Sequence, residues 1–323
     1  MRTKSSHLIA LLLSLLVPVS AQAAQPFDQW LKDLRQEAVS RGISNKTLDA
    51  AFIGIEPIPR VIELDRKQPE GRMTFDEYYR KVINQQRIDQ GRTMYRKHRA
   101  ELERAAQKYG VPANYIVALW GIETNYGSNT GGFKVVPALA TLAHDGRRAE
   151  FFRSELMAAL KILDQGHITP ENMKGSWAGA MGQNQFMPSS FHAFAVDGNN
   201  DGRRDIWSSL PDVFASTANY LSKSGWKGDE RWGREVKIPQ DFPESLTDLK
   251  VKKTLKEWQG MGITLPSGAN LPVAPGIKAS LVTPDGLKGR TFLVYDNYRV
   301  IMRWNKSTYF ATSVGLLANQ VAQ

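Results

Sequence analysis

The stretch from Val111 to Gly127, VPANYIVALWGIETNYG, places the strongest constraint on how this chain can fold. Ile116, Leu119 and Trp120 recur at helical spacing and form an apolar stripe. Pro112 suits the first helical position, and Gly127 the position just past the end. Glu123 stands seven residues after Ile116, four after Leu119 and three after Trp120. It therefore shares their face and points to the core side of the helix rather than to water. Partial burial disfavours the charged form of a carboxylate and raises its pKa, as a general acid working near neutral pH requires. The alternative is a structural acid tied to an arginine or a backbone amide.

Residues 1–23 read as a segment outside the fold. Arg2 and Lys4 give a charged start, His7 to Val19 an apolar run too short to span a bilayer, and Ala21-Gln22-Ala23 a small-x-small cleavage signature. The expectation is a secretory signal peptide cut near Ala23; the alternative is an uncleaved N-terminal anchor. The mature protein is then expected in the periplasm or another extracytoplasmic space. The chain has no cysteine, which excludes a lipid-bearing thiol near the cut, a disulfide and a cysteine metal site. Losing Arg2 and Lys4 lowers the formal charge of +10 by two, to +8. A basic secreted protein favours anionic partners such as nucleic acid, acidic lipid or an acidic wall polymer. No Lys/Arg-rich run, zinc-finger spacing or RNP-like aromatic motif supports nucleic acid.

From Phe27 to about Gly110 the pattern is helical and charged, with Ser44-Asn45-Lys46-Thr47 offering a capped helix start. Pro57 and Pro59 make the segment from Gly54 to Tyr79 read as an extended surface loop until helix returns near residue 73. After the Glu123 helix comes a Gly- and Asn-rich loop suited to a cleft wall, then helices over Ala138–Leu142 and Arg147–Asp164. A further helix runs from Asp212 to Ser224, followed by the aromatic loop Trp226–Trp232. From about Val236 prolines and alternation, in Arg290–Asp296 and in Tyr298–Trp304, suggest short strands, and Ser307–Val321 reads as a helix returning to the main body. The organisation predicted is an N-terminal helical region at 24–110, a catalytic core at 111–235, a small β-containing region at 236–304 and a C-terminal helix at 305–323.

Two more stretches carry chemistry. Gly175–Phe194, GSWAGAMGQNQFMPSSFHAF, combines small residues that let backbone approach closely with Ser176, Gln183 and Gln185 beside Trp177 and Phe186. Neutral hydrogen-bonding groups next to aromatic faces suit a sugar; tight helix packing is the plainer alternative. Asp197–Ser208, DGNNDGRRDIWS, matches the calcium-loop register with Asp197, Asn199, Asp201, Gly202 and Asp205 at positions 1, 3, 5, 6 and 9. Position 12 is Ser208, so Asp212 is the acid available to complete a shell. A solvated Asp/Asn-rich turn is the alternative.

Laid out this way, the chain resembles the periplasmic lytic murein transglycosylases of the B type from about Phe27 to its C-terminus. The resemblance rests on GIETNYG at 121–127, ATLAHDGRRAEFF at 140–152, GSWAGAMGQNQFMPSSF at 175–191, the DxNxDG loop and NKSTYFATSVGLL at 305–317. It implies a mainly α (α+β) fold, with a lysozyme-like catalytic domain, an N-terminal helical region and a small β-containing C-terminal region. It also implies that Glu123 is the sole catalytic acid and base, with Ser176, Gln185 and Asn305 in the cleft and Tyr220, Arg147 and Arg148 along the glycan groove. Tyr126, in the motif of Glu123, joins that substrate-binding set. Asp197, Asn199, Asp201, the backbone of Arg203 and Asp212 match the family's calcium site, expected to be structural, and no cofactor is expected for the chemistry. Trp304 and Phe310 stand where relatives can have Tyr, which changes the hydrogen bonds available there.

The function implied is cleavage of the β-1,4 bond between N-acetylmuramic acid and N-acetylglucosamine in peptidoglycan, leaving 1,6-anhydromuramoyl ends, as part of cell-wall remodelling. The implied partners are glycan strands and cell-wall enzyme complexes, with the protein a monomer that is not membrane-anchored. Ordinary glycosidases need two carboxylates about 5 to 10 Å apart, and no second acid stands in the motifs facing the Glu123 helix. The alternatives are a hydrolytic muramidase of the same fold, a non-catalytic peptidoglycan-binding module and a basic nucleic-acid binder.

Overall fold

The structure is a computed structural model that describes residues 25–67, 73–228 and 230–322. The expected signal peptide lies outside the described residues. The chain opens with α1 (Phe27–Ser40), α2 (Asn45–Ala51) and α3 (Pro59–Arg66), then α4 (Phe75–Val82), α5 (Gln85–Lys97) and α6 (Arg99–Tyr109). Local chemistry sets several of these starts. Ser44 caps α2 by accepting the Thr47 N–H, Asn84 caps α5 through the Arg87 N–H, and Thr74 with Glu77 forms a reciprocal capping box on α4. The expected extended loop around Pro57 and Pro59 is instead partly helical. Ile58 is extended, as a residue before proline prefers, and Pro59 sits at the first position of α3, where its missing N–H costs nothing.

Next comes α7 (Ala113–Thr124), which carries Glu123 in its last turn. Every residue from Tyr115 to Gly121 is buried, so the helix is central, hidden on all sides rather than along one stripe. It packs on α5 and α6 and against the later helix Thr308–Val321. Pro112 caps the helix from outside it, and the helix ends three residues before Gly127. Asn125, Tyr126 and Gly127 are all left-handed, with φ of 49°, 58° and 79°, which turns the chain sharply away. A side chain on Gly127 would run into Gln183 Oε1.

The chain continues through β1 (Phe133–Lys134), α8 (Val135–Asp145), α9 (Ala149–Asp164), β2 (Lys174–Gly175), α10 (Pro188–Phe194) and α11 (Leu210–Lys223). Strands β1 and β2 pair antiparallel, Phe133 opposite Gly175. The last part holds β3 (Gly233–Val236), β4 (Lys253–Thr254), α12 (Leu255–Gly260), β5 (Lys278–Val282), β6 (Thr291–Val294), α13 (Asp296–Trp304) and α14 (Thr308–Val321). The larger sheet is antiparallel in the order β3-β6-β5-β4, with Gly233 opposite Val294 and Val282 opposite Phe292. Tyr298–Trp304, expected as a strand, is helical: Asn297, Tyr298, Val300 and Ile301 are buried at i, i+1, i+3 and i+4, which is helical spacing.

Among the described residues the fold is mainly α, with fourteen α-helices and two small antiparallel sheets. Its buried side chains form three clusters. One surrounds α7 and takes in α11 and α14, a second joins α1–α3 to α8–α10, and a third lines the larger sheet. Tyr220 and Trp304 pack against both of the first two clusters, so they mark the seam between them.

Candidate active site

Glu123 is partly buried at the end of α7. Its Oε1 accepts a hydrogen bond from Trp304 Nε1 at 2.7 Å, a bond that spans 181 residues of sequence. Burial pushes the Glu123 carboxyl up to about 7, against the lowering effect of the indole donor. Among the described residues no arginine, no backbone amide and no second carboxylate bonds to it or shifts it. The alternative of a structurally tied acid is therefore not what the site contains.

The donor ring is held on two sides. Trp304 packs against Phe186 at 5.2 Å and Tyr220 at 4.7 Å between ring centroids, and Tyr220 packs on Phe194 at 4.3 Å. The Tyr220 hydroxyl donates to the Arg303 carbonyl at 2.7 Å, next to Trp304 in the chain. On another side stands Tyr78 of α4, whose hydroxyl is pushed up first by burial and then by the charge of Glu123. Tyr78 rests on Tyr309 at 5.7 Å, and Tyr309 donates to Asp285 Oδ1 at 2.6 Å. Asp285, between β5 and β6, also accepts the Phe75 N–H, so one carboxylate ties the start of α4 to the start of α14.

The segment 175–186 forms the adjoining wall. Small bridges pair Gly175 with Met181 and Met181 with Phe186, folding the segment on itself. Ser176 Oγ accepts the Ala180 N–H at 3.1 Å, which leaves its own proton available to a ligand. Gln185 adopts φ 50° and donates both amide hydrogens, to the Thr130 carbonyl at 3.1 Å and the Gly182 carbonyl at 2.9 Å. Only its Oε1 is left to meet a ligand. Thr124 Oγ1 donates to the Gln183 carbonyl at 3.1 Å, pinning this wall to the last turn of α7. Gln183, expected to face a sugar, is 9% exposed and fully engaged by Trp120 Nε1 and the Trp207 carbonyl.

Tyr126, Arg147 and Arg148 lie apart from this group, whereas Asn305 borders it. Tyr126 is a core residue, not a groove residue: it is 7% exposed, its ring meets Trp120 edge-on, and its hydroxyl donates to the Arg87 carbonyl at 2.8 Å. The left-handed turn after α7 is what rotates it inward. Arg147 and Arg148 both clasp Asp65 at the end of α3, with Arg147 Nε 2.5 Å from Asp65 Oδ2. Hydrogen bonding from Arg147 foremost holds the buried Asp65 carboxyl below the usual range. Their guanidinium groups remain about half exposed, and among the described residues neither bonds to Glu123. Asn305 is exposed at the junction of α13 and α14, beside Trp304, with its Oδ1 accepting the Ser307 N–H at 3.0 Å. Tyr78 and Asp285 lie outside the motifs quoted above, and Tyr309, though inside the 305–317 motif, has no role assigned to it from sequence.

The Asp197 loop has the backbone of a cation-binding turn. The Asp201 N–H meets Asp197 Oδ1 at 3.2 Å and Asn199 Oδ1 at 3.1 Å, the Gly202 N–H meets Asp197 Oδ2 at 2.8 Å, and Gly202 has φ 87° as position 6 requires. Among the described residues no three acidic, histidine or cysteine side chains converge to hold a metal. The oxygen donors of Asp197, Asn199, Asp201 and the Arg203 carbonyl fit a hard cation by chemistry. Asp212 is fully buried, and its two oxygens already accept the Gly198 and Asp205 N–H groups at 2.8 and 2.7 Å. Its first role is therefore to close the loop. A cavity of about 800 Å³ between α2, the end of α9 and this loop has none of the Glu123 group on its walls.

Comparison with known proteins gives a consistent picture. The transglycosylase SLT domain profile matches residues 26–319. The chain is 35% identical over 248 residues to the membrane-bound lytic murein transglycosylase B of Escherichia coli K12, covering 76% of this chain and 66% of that protein. It therefore spans about two thirds of the length of that relative. SltB3 from Pseudomonas aeruginosa, solved in complex with NAG-anhNAM-pentapeptide, superposes with a TM-score of 0.90 at 45% identity over 92% of this chain and 80% of that one. A second SltB3 structure holds NAG-NAM-pentapeptide. The Escherichia coli lytic transglycosylase Slt35 in complex with calcium matches with a TM-score of 0.77 at 30% identity, covering 94% of each chain.

Proposed function

The chain belongs to the transglycosylase SLT domain family, a family of enzymes acting on peptidoglycan, and from that premise we propose that it is itself a lytic transglycosylase of peptidoglycan. The bond cut is the β-1,4 linkage from N-acetylmuramic acid to N-acetylglucosamine, and the product end is 1,6-anhydromuramoyl. The observation that carries this reading is Glu123: one carboxyl, raised to about 7, with an indole as its one donor among the described residues. A lone acid of that kind can give a proton and take one back, but it leaves no second carboxylate to act as nucleophile or water base. The ligands of SltB3, NAG-NAM-pentapeptide and NAG-anhNAM-pentapeptide, pair a substrate-like sugar with an anhydro sugar and support the same chemistry here.

The reaction follows from the groups in place. Glu123 protonates the glycosidic oxygen as the bond to C1 breaks, and the N-acetylglucosamine side leaves with its new hydroxyl. The acetamido carbonyl oxygen of the muramic acid closes on C1 and holds the positive charge. Ser176 has its hydroxyl proton to give to that acetamido group, and Gln185 Oε1 can accept its N–H. Glu123, now a carboxylate, takes the proton of the C6 hydroxyl, and O6 displaces the acetamido oxygen from C1. The acid is regenerated and no water is consumed.

Tyr220 and Asn305 supply the groove beside Trp304, and Arg147 and Arg148 offer half-exposed cations to the carboxylates of the glycan or its peptides. Asp197, Asn199, Asp201 and the Arg203 carbonyl would hold a calcium ion, with Asp212 bracing the loop. Such an ion supplies loop stability and takes no part in the chemistry. Residues 1–23 direct the chain to the periplasm, with cleavage near Ala23, and no helix among the described residues is long and apolar enough to cross a membrane. The mass of the released muropeptides, one water below that of reducing ends, tests the reading.

A further inference from the structure

Trp304 is the sole hydrogen-bond partner recorded for the Glu123 carboxyl among the described residues, and the reaction above gives it no task. Its chemistry is unusually restrictive. An indole N–H donates and cannot accept, whereas a hydroxyl in the same place could do either. A carboxyl oxygen that already carries the acid proton is a poor acceptor for a second donor. The 2.7 Å contact from Nε1 therefore fits a neutral carboxyl only when Oε1 is the bare carbonyl oxygen.

We propose that Trp304 is a positioning residue that fixes the acid proton of Glu123 on Oε2, the oxygen left to face the glycosidic bond, and then stabilises the carboxylate that results. The inference rests on the reading of Glu123 as the acid. The donor is preorganised for the task. Phe186 and Tyr220 hold the ring, the Tyr220 hydroxyl holds the Arg303 carbonyl, and the Arg303 guanidinium donates to the Ser224 carbonyl at 2.5 Å. Once the proton leaves, the same N–H becomes a charge-assisted bond, stronger than the neutral one. The donor thus offsets part of the desolvation that would otherwise leave Glu123 a weak acid and an unstable base. The titratable groups facing Glu123 from the packed elements are few: Tyr78 from α4, with Arg87 of α5 acting on that tyrosine. Among the described residues no charged side chain competes with the indole.

The test compares Trp304→Phe, which keeps a ring but lacks the N–H, with Trp304→Tyr, which restores a donor. In Trp304→Phe the alkaline limb of kcat/KM moves up by about one pH unit, because the ionised form has lost its donor, and plateau kcat falls about tenfold with little change in KM. Trp304→Tyr returns the limb toward wild type. Carbon-13 NMR titration of the glutamate carboxyls, assigned by difference with Glu123→Gln, reads the same shift without substrate. It separates this inference from the proposed activity, whose failure would show in the wild-type products alone. Tyr220→Phe, which frees the Arg303 carbonyl, shifts the titration in the same direction by less, and serves if Trp304→Phe does not fold. A carboxyl titration and an alkaline limb unmoved in Trp304→Phe, or an unmoved titration in Tyr220→Phe where that variant stands in, would overturn the proposal.

Discussion

The indole of Trp120 donates to Gln183 Oε1 at 2.8 Å, which locks the helix carrying Glu123 to the wall carrying Ser176 and Gln185. The other end of the same amide donates to the Trp207 carbonyl at 2.9 Å, so one side chain spans three segments. Replacing Gln183 by Leu leaves a buried N–H and a buried carbonyl without partners. The expected cost is roughly 2–4 kcal/mol, read as a lower urea midpoint at unchanged slope. A midpoint equal to wild type would mean that this amide is not a structural tie.

Tyr126 separates a core role from a groove role. Its hydroxyl serves the Arg87 carbonyl, and its ring fills the space above Gly121 and Gly91. Tyr126→Phe should therefore lower stability by about 1 kcal/mol and leave KM for peptidoglycan fragments unchanged. A raised KM with unaltered stability would return Tyr126 to the groove.

How far the sequence carried can be judged from such residues. The Glu123 helix and the Ser44 cap were legible because their signals lie within one or two turns of chain. The helix α3 was hidden because Pro59 reads as a breaker unless one knows it sits at the first position. Tyr298–Trp304 alternates in residue type, yet its buried positions follow helical spacing, a matter settled by packing on α14. The tasks of Gln183, Tyr126 and Trp304 depend on partners 24 to 181 residues away, and a short polar motif does not say which of its amides is already taken.

Glu123 also makes stability depend on pH. The folded carboxyl keeps its proton to about 7, while an exposed glutamate releases it near 4.5. Stability is therefore full below the unfolded value and declines as pH rises through the interval, by roughly 3 kcal/mol at most. Glu123→Gln has no charge to bury. Its melting temperature should exceed that of wild type at pH 8 and equal it near pH 4; equal melting at both would mean that the carboxyl is not desolvated.

The Asp197 loop predicts a thermal response to calcium. At a hundredfold excess over Kd a bound ion adds about 2.7 kcal/mol, visible as a higher melting temperature that a chelator reverses. Asp201→Ala should abolish that gain with little effect in chelator. Asp212→Ala should lower the melting temperature even in chelator, because the Gly198 and Asp205 amides lose their acceptor. A wild-type melt indifferent to calcium would reduce the loop to a self-bonded turn.

The most direct measurement is mass spectrometry of muropeptides released from purified peptidoglycan by the mature protein and by Glu123→Gln. The account predicts products one water lighter than reducing muropeptides from the wild type and none from the variant. Reducing-end products from the wild type, or anhydro products that persist in Glu123→Gln, would contradict it.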